Sequence, residues 1–100
     1  MITAPSRILP KRQREILEQM AGHPYDDQGE IVYERGVAYL GDVRIAARTV
    51  FALLRLCALR SDSDSGGSVE RYRINETGRK LLAGDWSDVE ALERVPIISA

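Results

Sequence analysis

The sequence predicts one small α+β domain built on a long central helix, a β-hairpin before it and one further strand after it. Three observations predict this. Asp42–Arg60, DVRIAARTVFALLRLCALR, is the longest stretch with helical apolar spacing. Glu30–Gly41, EIVYERGVAYLG, holds two runs of β-favouring residues around a glycine turn. Val69–Ile74 alternates arginines with Tyr72 and Ile74, the period of a half-buried strand.

The central helix orders the rest. At about 100° per residue, Ile45, Ala46, Thr49, Val50, Leu53, Leu56 and Cys57 share one broad apolar face, with Leu54 at its edge. Arg44, Arg48 and Arg55 fall within roughly 40° of one another on another side. Asp42 suits the N-cap of this helix and its positive end.

In chain order, residues 1–8 form a flexible N-terminal arm, with Pro5 and Ser6 resisting regular structure. Pro10 opens a helix over Lys11–Ala21 whose inner edge is Ile16, Leu17 and Met20, with Leu9 packing back on the first turn. Gly22 stops it, and His23–Gly29 is turn chemistry. The hairpin pairs Ile31–Tyr33 with Val37–Leu40 across Glu34-Arg35-Gly36. Ser61–Ser68, SDSDSGGS, holds no core-forming residue and should be a flexible loop. Tyr72 and Ile74 point inward from the last strand. Asn75 then caps a short helix over Glu76–Ala83, ended by Gly84. Residues 9–84 make the domain, and residues 85–100 make an acidic C-terminal extension. There, Asp85 or Ser87 caps a last helix over Asp88–Arg94, docked by Trp86, Val89 and Leu92 and ended by Pro96.

Helix, long helix, glycine-rich loop, strand and short helix in this order resemble a winged-helix domain. LPKRQREILEQMA is similar to the first helix of bacterial winged-helix and helix-turn-helix regulators. RYRINETGRKLLAG resembles the second wing strand and following helix of MarR- and PadR-type repressors, where an aromatic-x-Leu-Thr-x-x-Gly pattern is common. Tyr72, Ile74, Asn75 and Gly78 take those places, with asparagine for threonine, both capping residues. The order of elements also resembles the small bacterial YjhX-type proteins. The likeness spans residues 9–84 and departs at one point: a hairpin stands where a winged helix has its second helix. Either the stretch from Ile45 takes the place of the recognition helix, or the helix-turn-helix is interrupted.

The chemistry-bearing residues narrow the function. One hundred residues with 44% hydrophobic and 29% charged content suit one soluble domain with a modest core. The formal net charge of −1 gives no bulk pull toward nucleic acid. The excess of acid sits in the extension, where Asp85, Asp88, Glu90 and Glu93 face Arg94 alone. The only cysteine, Cys57, is placed on the core side of the central helix, which suits a reducing cytoplasm. No apolar run suggests a signal peptide or a membrane span. His23, the single histidine, stands beside Pro24 in a turn with no nucleophile motif. One Cys and one His give no zinc spacing; Asp62 and Asp64 lack the rest of a calcium loop; no Lys-Ser or Lys-Thr follows Gly66-Gly67. No enzyme, metal, cofactor or small-molecule substrate is expected.

The arginines remain. Arg44, Arg48 and Arg55 line the central helix, and Arg71 and Arg73 lie on the outward side of the last strand. Arginine forks suit phosphates and guanine edges, and equally suit carboxylates. Lys11, Arg12 and Arg14 form a secondary basic patch. Tyr25, Tyr33, Tyr39 and Tyr72 offer contacts or core. The expectation is a non-enzymatic winged-helix-like DNA-binding regulator, with room for a homodimer. The alternative is a protein-binding module on the same scaffold. Phage or mobile-element inhibitors of the anti-CRISPR type, which block a host nucleic-acid-binding complex, are of this kind and would meet an acidic protein surface.

Overall fold

The computed structural model describes residues 8–62 and 68–94. Residues 1–7 of the expected arm, most of the Ser61–Ser68 loop with Asp64 and Gly66-Gly67, and Pro96 lie outside them.

The described chain is mixed α+β, with four α-helices and a five-stranded antiparallel sheet. The elements are α1 (Lys11–Gly22), a 3₁₀ turn (Asp27–Gly29), β1 (Ile31–Glu34), β2 (Val37–Leu40), β3 (Val43–Ile45), α2 (Ala47–Arg55), β4 (Leu59–Ser61), β5 (Glu70–Ile74), α3 (Glu76–Leu82) and α4 (Ser87–Arg94). The strand order is β3-β2-β1-β5-β4.

The hairpin forms as its residues dictate. Glu34 faces Val37 across a two-residue turn, with Arg35 at φ 53° and Gly36 at φ 80°, both positive as a type I′ turn requires. α1 buries Ile16, Leu17 and Met20, the edge its spacing predicts, and Leu9 is buried beside them. Pro10 stands one place earlier than expected, as the N-cap. Asn75 caps α3 by accepting from the Gly78 N–H at 2.8 Å.

The central helix is where the structure corrects the sequence reading. Asp42 caps nothing: with Gly41 at φ 59° it makes a second two-residue turn, leading from β2 into β3. Val43, Arg44 and Ile45 pair with Leu40, Tyr39 and Ala38. A paired strand satisfies backbone groups that the start of a helix leaves open, and β-branched Val43 and Ile45 suit it. α2 therefore has nine residues, with Ala46 as N-cap and no side-chain cap bond. At its other end the Ala58 N–H reaches the Leu53 carbonyl and the Cys57 N–H the Leu54 carbonyl, both at 3.0 Å. Those two bonds are a Schellman stop, with Cys57 in the left-handed position at φ 57° and Leu53 and Ala58 both fully buried. Cys57 is consequently exposed, not a core thiol. Of the expected core face, Ile45, Val50 and Leu53 are buried, Thr49, Leu54 and Leu56 are half-buried and Ala46 is exposed.

The helices cover one side of the sheet. Ile31, Ala38, Leu40, Ile45, Leu59 and Ile74 form a core with Ile16, Leu17 and Met20 of α1, Val50 and Leu53 of α2 and Leu81 of α3. Gly78 lets α3 approach closely: a Cβ there would meet the Ala58 carbonyl oxygen at 2.5 Å. α4 docks through Val89, which is buried in the same core. Thr77 donates to Asp88 at 2.9 Å, and the Lys80 ammonium sits 3.4 Å from the same carboxylate. Asp88 thereby holds the Lys80 ammonium above the usual lysine range. No helix among the described residues is long and apolar enough to cross a membrane.

Candidate nucleic-acid interface

The expected line of three arginines divides between two faces. On α2, Arg48, Phe51 and Arg55 lie within about 60° of arc, opposite buried Val50 and Leu53. All three are exposed, Phe51 at 47%. α2 contains no acidic residue, and neither arginine has an ion-pair partner among the described residues. The Phe51 and Tyr33 rings meet edge to face, with centroids 5.7 Å apart, which ties the middle of the ridge to β1.

Arg44 belongs elsewhere. Alternation puts it on the face of the sheet away from the helices. There, register aligns Arg44, Tyr39, Val32 and Arg71 in one row across β3, β2, β1 and β5. Arg60 and Arg73 face each other in β4 and β5 on the same side. So Arg44, Arg71 and Arg73 share the outer sheet face, while Arg48 and Arg55 ride on α2, which packs against the other face.

Arg71 and Arg73 are also not free wing charges. Arg71 Nη1 donates to Glu30 Oε1 at 2.9 Å, and Arg73 Nη2 lies 3.4 Å from Glu30 Oε2. Arg73 Nε donates to Asp62 at 3.2 Å, and its Nη1 reaches the carbonyls of Pro24 and Asp26, both at 3.3 Å. With its side chain only 14% exposed, Arg73 is a clip tying the α1–β1 loop to β1 and β5. Sequence alternation gives its face correctly; the acids opposite it come from distant parts of the chain.

His23 Nδ1 donates to Asp26 Oδ2 at 3.1 Å, and this bond holds the Asp26 carboxyl below the usual aspartate range. It closes a turn, and no nucleophile joins it. Among the described residues no group of three or more His, Cys, Asp or Glu side chains could hold a metal ion. Lys11 and Arg12 are exposed and Arg14 is half-buried on the first turn of α1, where Arg12 lines a shallow groove with Glu15 and Val43.

Sequence reasoning missed Phe51, Arg60 and Arg79, and named Tyr25 only as one of four tyrosines that offer contacts or core. Phe51 had a signal, an aromatic three residues after Arg48 and four before Arg55. The others are joined only by the fold. Comparison with protein-family models, with curated proteins and with solved structures finds no match.

Proposed function

We propose that this protein is a small, non-enzymatic, winged-helix-like DNA-binding regulator in which α2 is the reading element. The observation that carries the reading is the acid-free ridge of Arg48, Phe51 and Arg55. Two guanidinium forks about two helical turns apart, with no ion-pair partner among the described residues, can engage phosphates or guanine edges. α2 leads directly into the antiparallel β4–β5 pair, as a recognition helix leads into its wing, and strands β1–β3 stand in the chain where a winged helix would have its second helix. The wing's own arginines act chiefly as internal clips, so affinity rests on α2. An exposed thiol at Cys57 agrees with a reducing, cytoplasmic setting.

A second reading, a protein-binding module that blocks a host nucleic-acid complex, draws on a different observation. Tyr39 is 43% exposed on the outer sheet face, beside half-buried Val32 and Val37 and exposed Arg44. Aromatic and arginine side chains around an apolar centre are the composition of protein interfaces.

The two surfaces lie on different sides, so one experiment separates them. Binding to random duplex DNA is titrated with salt for the wild type, for Arg48→Ala with Arg55→Ala, and for Tyr39→Ala with Arg44→Ala. The DNA reading expects measurable low-salt affinity and a salt slope lower by about 0.9 per lost phosphate contact in the α2 variant alone. Absence of low-salt binding by the wild type, or an unchanged slope in the α2 variant, overturns it.

A further inference from the structure

Away from α2, a cleft of about 350 Å³ opens between the α1–β1 loop, the β4–β5 pair and α3. Tyr25, Arg60, Arg73 and Arg79 line it, each brought by a different element. That volume lies at the lower end of the range for small-ligand sites.

Its walls have distinct roles. Arg73 is the structural clip and holds one wall in place by donating to the carbonyls on either side of Tyr25. Tyr25 itself is 94% exposed, and the backbone around it is pinned by the Arg73 bonds and by the His23–Asp26 contact. An exposed ring carried on a pinned backbone offers a π-face at the cleft. The opposite wall carries charge. Arg79 of α3 is exposed and has no ion-pair partner among the described residues, although Glu76 lines the same cleft. Arg60 of β4 pairs among the described residues with Asp62, at 3.7 Å.

We propose that this cleft binds a nucleoside monophosphate, its phosphate held by the forks of Arg79 and Arg60 and its base stacked on Tyr25. Guanidinium forks match phosphate oxygens in pairs, and a nucleobase presents a π-face to a tyrosine whatever its sequence. The same chemistry can come from a free nucleotide or from the phosphorylated end of a nucleic-acid strand. The site does not depend on α2, so it stands or falls separately from the duplex reading.

The test is calorimetric titration of the full chain with 5′-AMP, adenosine, inorganic phosphate and a 5′-phosphorylated trinucleotide. Saturable binding of AMP is expected, with adenosine and phosphate each weaker by about tenfold or more, the loss that follows from removing a charge-assisted contact or the stacking partner. Arg79→Ala and Tyr25→Ala replace exposed side chains, so thermal melts should be unchanged. Each should weaken AMP by about tenfold and leave random-duplex binding as it was. A trinucleotide tighter than AMP assigns the source to a strand end; equal or weaker binding assigns it to a free nucleotide. Equal binding of adenosine and AMP, no binding of AMP, or wild-type affinity in a correctly folded Arg79→Ala variant overturns the proposal.

Discussion

Asn75 Nδ2 donates to the carbonyl of Cys57 at 2.7 Å, joining the cap of α3 to the chain reversal that ends α2. The Asn75 N–H also meets the Ala58 carbonyl at 3.1 Å. One side chain thus starts one helix and braces the end of another. Asn75→Ala should cost about 2 kcal/mol, from the lost cap and the unsatisfied carbonyl together. Asn75→Asp keeps the cap and should cost only about 1 kcal/mol. Urea melts measure both, and equal losses would mean that the cap contributes nothing.

Cys57 holds a left-handed backbone conformation that favours glycine, at φ 57°. Its side chain is exposed, so truncation removes little packing. Cys57→Gly should raise stability by about 0.5–1 kcal/mol, and β-branched Cys57→Val should lower it by about 1–2 kcal/mol. The reverse order in denaturant melts would rule out the Schellman stop at this position.

Glu30 is 8% exposed and is shared by Arg71 and Arg73. Glu30→Ala leaves the largely buried Arg73 guanidinium short of an acceptor. A loss of about 1–3 kcal/mol is expected, with Glu30→Gln costing less because its amide oxygen still accepts. An unchanged melt in the alanine variant would reduce the clip to an incidental contact.

Burial, with a hydrogen bond to Glu70 adding to it, raises the Tyr72 phenol from 10.0 to about 12. In an ultraviolet titration one of the four tyrosines should ionise last, near pH 12. Because folding raises this pKa, its contribution to stability is whole below pH 10 and is lost as pH climbs toward 12. Glu70→Gln should lower the midpoint only in part, since burial is the larger cause. A Tyr72 midpoint left near 10.0 would contradict its burial beside Glu70.

The legible parts of the fold were those set by short-range rules. The hairpin turn at Arg35-Gly36, the inner edge Ile16, Leu17 and Met20, and the Asn75 cap all follow from residues within a few positions of one another. The central stretch reads as one long helix because its apolar spacing continues through β3 and past Cys57. Spacing does not register a strand of three residues, and the helix stop carries no glycine. The candidate site suffered most. Arg71 and Arg73 were placed on the correct strand face, but Glu30 and Asp62 reach them across the sheet, and no local pattern signals such a pairing.

The sheet has a single seam between distant parts of the chain. β1, β2 and β3 are joined by two-residue turns, so that meander can close as soon as residue 45 exists. The β1–β5 junction cannot, since Glu30 and Arg71 lie 41 positions apart. Closing so long a loop costs entropy before any ladder bond or ion pair compensates, so this seam should form after the meander. During synthesis, β1 therefore emerges as an open edge, with Ile31, Val32 and Tyr33 unpaired on one side. It stays exposed to wrong partners until β5 leaves the ribosome.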